Sequence, residues 1–252
     1  MSMLLLPWHL TDALADLNVT LPPGTVRIDG HPGATGEPWK NLIGVYAPLA
    51  DAVAAEDGLT VVLSGDCVTL LAVLAGVQRR GLRPSLVWFD AHGDFHTEST
   101  TTSGYLGGLP LAKAVGRGDL TLPEALGLEP LDEGTVTLVD GRDLDPAEVA
   151  ALADSDVTHV PVATFDTSRL PEGPVVVHVD VDVVDPAEVA GLRFPAPGGP
   201  SLRDVVAAVS AVVRDRPVVA LDIGATWRPE NTTRTQTDAV LSALLSTIQL
   251  QA

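Results

Sequence analysis

The chain has 252 residues, a length that suits one large α/β domain. Apolar residues make up 46% of it and charged residues 19%, which excludes a disordered chain. Fifteen Lys plus Arg stand against 33 Asp plus Glu, a net charge of −18. A surface that acidic repels phosphate backbones and anionic lipid, so neither nucleic acid nor a membrane is expected as a partner.

The first ten residues, MSMLLLPWHL, carry an apolar patch with no basic flank and with Pro7 close behind. They read as a first strand rather than a signal peptide. Segment 22–40 is rich in Gly and Pro and reads as a surface loop. Thr60 to Leu63 is a β-branched run, followed by a helical pattern from Val68 to Arg80 that Gly81 stops. The apolar region from Leu59 to Val77 is broken by Ser64, Gly65 and Asp66, so it is not a membrane span. Further strands are expected over Leu86–Phe89, Val136–Val139, Val175–Val179 and Val218–Leu221, the last started by Pro217. Helices are expected over Leu109–Val115, Pro146–Leu152 with Asp145 as N-cap, Leu202–Val213 capped by Ser201, and Thr237–Leu250. Segment 188–200 reads as a second Gly- and Pro-rich loop. The strands are nearly continuous apolar runs, as strands buried on both faces are. Strand alternating with helix implies a three-layer α/β/α domain over 1–252 with a mainly parallel central sheet. The single cysteine, Cys67, excludes an intramolecular disulfide and fits a cytoplasmic protein.

Ligands of an open parallel sheet bind beyond the carboxyl ends of its strands. Five of the expected strands end in carboxylates: Asp66, Asp90, Asp140, Asp180 and Asp222. Like charges crowded on one rim are costly unless a cation neutralises them. In Asp90-Ala91-His92-Gly93-Asp94, and again at Asp180 and Asp182, ligand-type side chains alternate, which turns them to one side of an extended chain. Carboxylates with an imidazole suit a divalent ion such as Mn²⁺. Carboxylates also bridge ion pairs, which sit about 3.5–4 Å apart in two-metal sites.

These motifs make the chain similar to the arginase (ureohydrolase) family, which includes agmatinases and formiminoglutamases and uses two manganese ions to hydrolyse guanidino or formimino compounds. The resemblance runs from about Leu59 to the C-terminus. The family's Asp-Ala-His-x-Asp motif is intact at Asp90, Ala91, His92, Gly93 and Asp94, and its Asp-x-Asp-x-x-Asp-Pro motif at Asp180, Asp182, Asp185 and Pro186. The resemblance implies that Asp90 and Asp180 bridge the two metals and that Cys67 and Asp94 complete the first. His92 and Asp182 complete the second. Asp94 is also implied as the catalytic residue that orients the attacking hydroxide. Asp185 either supports the ligands from behind or simply makes a turn. The loop Thr100–Gly104 resembles the one that holds a substrate α-carboxylate, with Thr101 and Ser103 as donors and His96 in place of an asparagine. Asp145 stands where the family binds the α-amino group. A Thr/Ser run is also an ordinary loop, and Asp145 before Pro146 also a helix cap. By the same analogy, trimers or hexamers are implied.

Three positions depart from the family. Cys67 replaces a histidine ligand; it is either a thiolate favouring Zn²⁺, Fe²⁺ or Co²⁺ over Mn²⁺, or a small buried residue that cripples the first site. Ala225 replaces the glutamate that pairs with the guanidinium, with Glu230 nearby as either a substitute or a solvated loop residue. Gly107 replaces the proton-shuttling histidine, leaving Tyr105 or His96 to move protons. His178, two residues before Asp180, reads as an extra ligand or as a buried hydrogen-bonded histidine. The expected activity is therefore metal-dependent hydrolysis of a non-peptide C–N bond in an amino-acid-like amidine or amide, not in arginine. The alternative is a degenerate member that binds without turnover. Zinc deacetylases have a similar fold, but the two-metal motifs match the ureohydrolases better.

Overall fold

The computed structural model describes residues 1–248. Its strands are β1 (Ser2–Leu6), β2 (Trp8–His9), β3 (Asp12–Ala13), β4 (Val26–Arg27), β5 (Thr60–Ser64), β6 (Ser85–Asp90), β7 (Val136–Asp140), β8 (Thr158–Val160), β9 (Val175–Asp180) and β10 (Val218–Gly224). Its α-helices are α1 (Pro38–Ala54), α2 (Thr69–Arg79), α3 (Pro110–Ala114), α4 (Thr121–Leu126), α5 (Pro146–Ala153), α6 (Leu202–Asp215) and α7 (Arg234–Ser246). Eight strands form one sheet in the order β4-β1-β5-β10-β9-β6-β7-β8. Every pairing in it is parallel. The short β2–β3 ribbon is antiparallel.

The central strands β5, β6 and β9 are buried along their whole length, as their continuous apolar runs require. Side chains alternate between two cores. Leu4, Val62, Trp88 and Val176 face α1–α4, whereas Met3, Val61, Phe89 and Val177 face α6 and α7. Helix α6 shows why a layer forms: Val205, Val209, Val212 and Val213 fall on one buried stripe. Burying each valine contributes about 1.5–3 kcal/mol before conformational entropy is counted. Ser201 caps the helix by accepting from the Asp204 amide, as the sequence implies.

Helix α1 is absent from the sequence expectation, which places a loop over 22–40 and no helix before Val68. Gly44 and Pro48 lie inside it and obscure its pattern, yet Trp39, Leu42, Val45, Tyr46, Leu49 and Val53 form one buried face. Gly44 is required there, because the His31 carbonyl oxygen lies 2.1 Å from where a Cβ would stand. Helix α4 and strand β8 are also unexpected; six and three residues are too few to show a period. The last expected helix, 237–250, begins earlier, because the Thr233–Gln236 capping box starts it at Arg234. Residues 249 and 250 of that expectation lie outside the described residues. No described helix is long and apolar enough to cross a membrane.

Candidate metal centre and substrate pocket

Strand register sets the site. Trp88, His178 and Asp222 stand on one row across β6, β9 and β10, with Val62 of β5 beside Asp222. Two residues further on, Asp180, Gly224 and Ser64 share the next row, and Asp90 ends β6 beside them. The period of two therefore brings His178, Asp180, Asp90 and Asp222 to one face at the carboxyl end of the sheet.

At that edge lies a cavity of about 380 Å³ whose walls include Cys67, His92, Asp94, Asp180, Asp182 and Tyr105. A larger cavity, about 700 Å³, lies between α6 and the segment 161–167. Its wall carries Asp140, Asp166 and Asp204 but no histidine or cysteine, so the chemistry belongs to the smaller cavity.

The donor atoms fall into two groups that share one carboxylate. Cys67, Asp90 and His178 offer ligand atoms within 4.8 Å of one another, and so do Asp90, His92 and Asp182. The Cys67 thiol donates to Asp180 Oδ2 at 2.8 Å. His92 Nδ1 lies 3.2 Å from Asp182 Oδ2 and 3.3 Å from Asp90 Oδ1. Trp88 Nε1 donates to Asp90 Oδ2 at 2.9 Å, and Asp180 Oδ1 accepts from the Asp182 amide at 2.8 Å and from the Thr226 hydroxyl. Asp94 sits in the left-handed region at φ 47°, and its buried Oδ2 has no partner among the described residues. Strain of this kind in a non-glycine residue gathers at functional sites.

Crowding is visible in the acidities. Burial and the Asp90 charge push Asp180 up to about 6. Burial and the Asp90 and Asp180 charges raise Asp94 and Asp182 well above the usual carboxylate range. Asp90 goes the other way: burial works against its charge, but the bonds and charge of His92 hold its pKa down. Burial likewise opposes a charge on His92, yet its bonds to Asp182 and Asp90 push it up to about 12. Burial and the Asp180 charge raise the Cys67 thiol. Buried like charges and a bare carboxylate oxygen are what a divalent cation would neutralise, so the donor set fits a two-metal centre.

Not every strand-end carboxylate joins this group, which corrects the reading of a single acidic rim. Asp66 Oδ2 accepts from the Leu10 amide and the Tyr46 hydroxyl, each at 2.8 Å, and so ties β2 and α1 to the start of α2. Asp140 pairs with Arg142, whose guanidinium also donates to the carbonyls of Val183, Asp182 and Ala196. Asp222 lies beneath the site and bonds His178 Nδ1 at 2.7 Å. Asp185 accepts from the amides of Ala187, Gly198 and Gly199, so it organises the loop that follows.

At the mouth, His96 Nε2 lies 3.0 Å from Asp145 Oδ2 and 3.6 Å from Glu148 Oε2. Asp145 is also the N-cap of α5, in a capping box with Glu148. Glu148 Oε1 accepts from the Phe95 amide at 3.1 Å, and a Cβ on Gly93 would meet that same oxygen at 2.7 Å. A side chain between the two motif residues His92 and Asp94 would therefore push Glu148 and Leu144 aside. Ser103 and Thr102 line the cavity, whereas Thr101 does not; its hydroxyl accepts from the Gly104 amide.

The three departures have structural correlates. Ala225 is wholly buried in the core facing α6 and α7, and Glu230 is exposed, away from the cavity. A Cβ on Gly107 would lie 2.4 Å from the Tyr105 ring, so that ring fills the space a side chain at 107 would need. Tyr105 Oη lies 3.4 Å from His9 Nε2, and His9 Nδ1 faces the Gly65 carbonyl at 3.1 Å. Phe194 packs over Tyr105 with ring centroids 4.9 Å apart. Sequence reasoning missed Phe194, Thr226 and Glu148, and in the expected loop it named Thr101 where Thr102 lines the cavity. Only Glu148 left a signal, as the last residue of an Asp-x-x-Glu capping pattern.

The family model described as Arginase family matches residues 24–250. An arginase of Bacillus subtilis (strain 168) is 29% identical over 217 residues, which are 78% of this chain and 73% of the relative. The structure of Entamoeba histolytica arginase in complex with L-ornithine superposes with a TM-score of 0.82 at 22% identity, covering 98% of this chain and 97% of that one. Formimidoylglutamase from Bacillus subtilis gives a TM-score of 0.73 at 14% identity, covering 99% of this chain and 86% of that one. At these identities the two structural likenesses show the fold alone.

Proposed function

We propose, from the premise that this chain belongs to the arginase family, that it is a binuclear-metal hydrolase of a non-peptide C–N bond in a linear amidine or amide, and not an arginase. The observation that carries this is the Asp90 carboxylate shared between two groups of donors beside the bare Asp94 Oδ2. Asp90, Asp180, Cys67 and Asp94 would hold one ion, and Asp90, Asp180, His92 and Asp182 the other. When bound, the ions supply Lewis acidity, making water more acidic and attracting charge that develops on the substrate. The thiol at Cys67 opens the first position to Zn²⁺, Fe²⁺ or Co²⁺ as well as Mn²⁺.

The chain's own groups do the rest. Asp94 Oδ2 accepts the proton of the attacking water, whose oxygen adds to the sp² carbon. The C–N bond then breaks, and the nitrogen leaves with that proton. Tyr105, held protonated by burial and the nearby Asp66 charge, donates a hydrogen bond to the leaving nitrogen. His96 and Ser103 face the carboxylate of an amino-acid-like substrate, and Asp145 its ammonium. Ala225 lies in the core rather than on the cavity wall, where the end of β10 presents the Thr226 side chain and no carboxylate, so a full guanidinium would find no counter-charge from that strand end and a less cationic group suits the site.

The test is metal content with turnover. Metal-free protein is loaded with Mn²⁺, Fe²⁺, Co²⁺ or Zn²⁺, assayed for ions per chain, and screened against guanidino, formimino and amide compounds. Two ions per chain with turnover of a formimino or amide compound is the expected result. No bound metal under any loading overturns the proposal. Two ions with no turnover favours the second reading, a family member that binds ligand only.

A further inference from the structure

We infer that His178 is itself a ligand of the first metal position, so that this chain answers the loss of the histidine at Cys67 with an imidazole from the neighbouring strand. The inference rests on the two-metal reading above and assigns a residue that the family motifs do not include.

His178 is wholly buried, and its two nitrogens are in unlike situations. Nδ1 lies 2.7 Å from Asp222 Oδ2. Nε2 is buried with no partner among the described residues. A buried imidazole nitrogen normally has a hydrogen-bond partner, so a bare one calls for an occupant. With Asp222 as the acceptor the proton of this bond sits on Nδ1, and in the neutral ring Nε2 then carries the lone pair. That is the arrangement by which carboxylate–histidine pairs present imidazole to a metal.

Placement agrees. A donor nitrogen of His178 falls within 4.8 Å of donor atoms of both Cys67 and Asp90. A Cβ at Gly224 would touch His178 Cε1 at 3.5 Å and Cys67 Sγ at 3.6 Å, so the ring edge and the sulfur flank one small gap. Trp88 holds the arrangement from behind. Its ring lies 4.1 Å from the His178 ring, and its Nε1 donates to Asp90. Cys67 is short where the family has a large imidazole, and His178 fills the adjoining space. Sulfur, imidazole and carboxylate together select Zn²⁺, Fe²⁺ or Co²⁺ over Mn²⁺ at this position.

The experiment uses the full chain and Co²⁺, read by absorbance and elemental analysis. Wild type should bind two ions and show a sulfur-to-cobalt charge-transfer band that Cys67→Ser abolishes. His178→Asn should weaken one of the two ions at least about tenfold and shift that band, and Asp222→Asn should weaken the same ion about 10- to 100-fold. Two ions of wild-type affinity and an unmoved band in His178→Asn would overturn the inference while leaving the two-metal reading intact. No cobalt bound by wild type would sink both. If His178→Asn does not fold, zinc X-ray absorption on His92→Ala carrying one Zn²⁺ decides. Sulfur with an imidazole supports His178, and sulfur without one refutes it.

Discussion

The loop between β6 and α3 carries His96, Ser103 and Tyr105, and one carboxylate pins it. Glu98 Oε1 accepts from Lys113 Nζ at 2.5 Å and from Trp39 Nε1 at 2.7 Å, and Oε2 accepts from the Asp119 amide at 2.9 Å. Lys113 is 0% exposed and also lies over the Trp39 ring at 4.8 Å, whereas the Glu98 side chain is 39% exposed. Glu98→Gln leaves the lysine charge buried without its counter-charge. Breaking a fully buried pair costs about 3–5 kcal/mol. The exposure of Glu98, and the oxygen that glutamine keeps, bring the expectation down to about 2 kcal/mol. For a chain of this size that is a drop of about 4–8 °C in melting temperature. The effect has a pH signature. Burial works against the Glu98 charge, but the Lys113, Asp119 and Trp39 bonds hold its pKa below the ordinary 4.5. A depressed carboxylate contributes stability that is whole above its unfolded pKa and lost as pH falls through its folded one. The gap between wild type and Glu98→Gln should thus be full at neutral pH and shrink progressively below about pH 4.5. Loosening the loop should also raise KM more than it lowers kcat. Urea unfolding at pH 7 and pH 4 is the assay. A variant within 0.5 kcal/mol of wild type at pH 7, or a gap that widens on acidification, would refute the argument.

Tyr105→Phe should lower kcat about 100-fold with metal content unchanged, because only a hydrogen-bond donor to the leaving nitrogen is lost; an unchanged kcat removes Tyr105 from the reaction. Gly107→Ala should lower kcat similarly by displacing the Tyr105 ring, and the double variant should be no worse than either single one. Additive losses would show that the two positions act independently. Asp94→Asn should reduce turnover by about 10² to 10⁴. It should also stabilise the metal-free protein by about 1 kcal/mol, since it removes a buried carboxylate with a bare oxygen. Calorimetry of the metal-free forms checks that sign. Ala225→Glu should not create arginase activity but should cost about 3 kcal/mol or more, because the side chain enters the buried core. A stable variant that hydrolyses arginine would disprove this.

What could be read from the chain was what is local or periodic. The strands, the caps at Ser201 and Asp145, and the alternation in Asp90-Ala91-His92-Gly93-Asp94 each lie within a few residues. Hence most of the sheet and the clustering of the candidate donors Asp90, His92 and Asp182 were legible. What escaped is set by register between distant strands. Nothing near Asp222 tells that it stands opposite His178, or that Asp66 turns to Tyr46 rather than to its neighbours. The departures from the family show the consequence most clearly. Taken position by position, Cys67 and Gly107 are deletions, an imidazole gone from each place. In space each deleted volume has an adjoining occupant, His178 beside Cys67 and the Tyr105 ring over Gly107. An open space in a closely packed interior forfeits contacts, so a neighbour that occupies it is favoured. The volumes that single-position comparison counts as lost are therefore occupied from neighbouring strands and loops, which no reading along the chain could show.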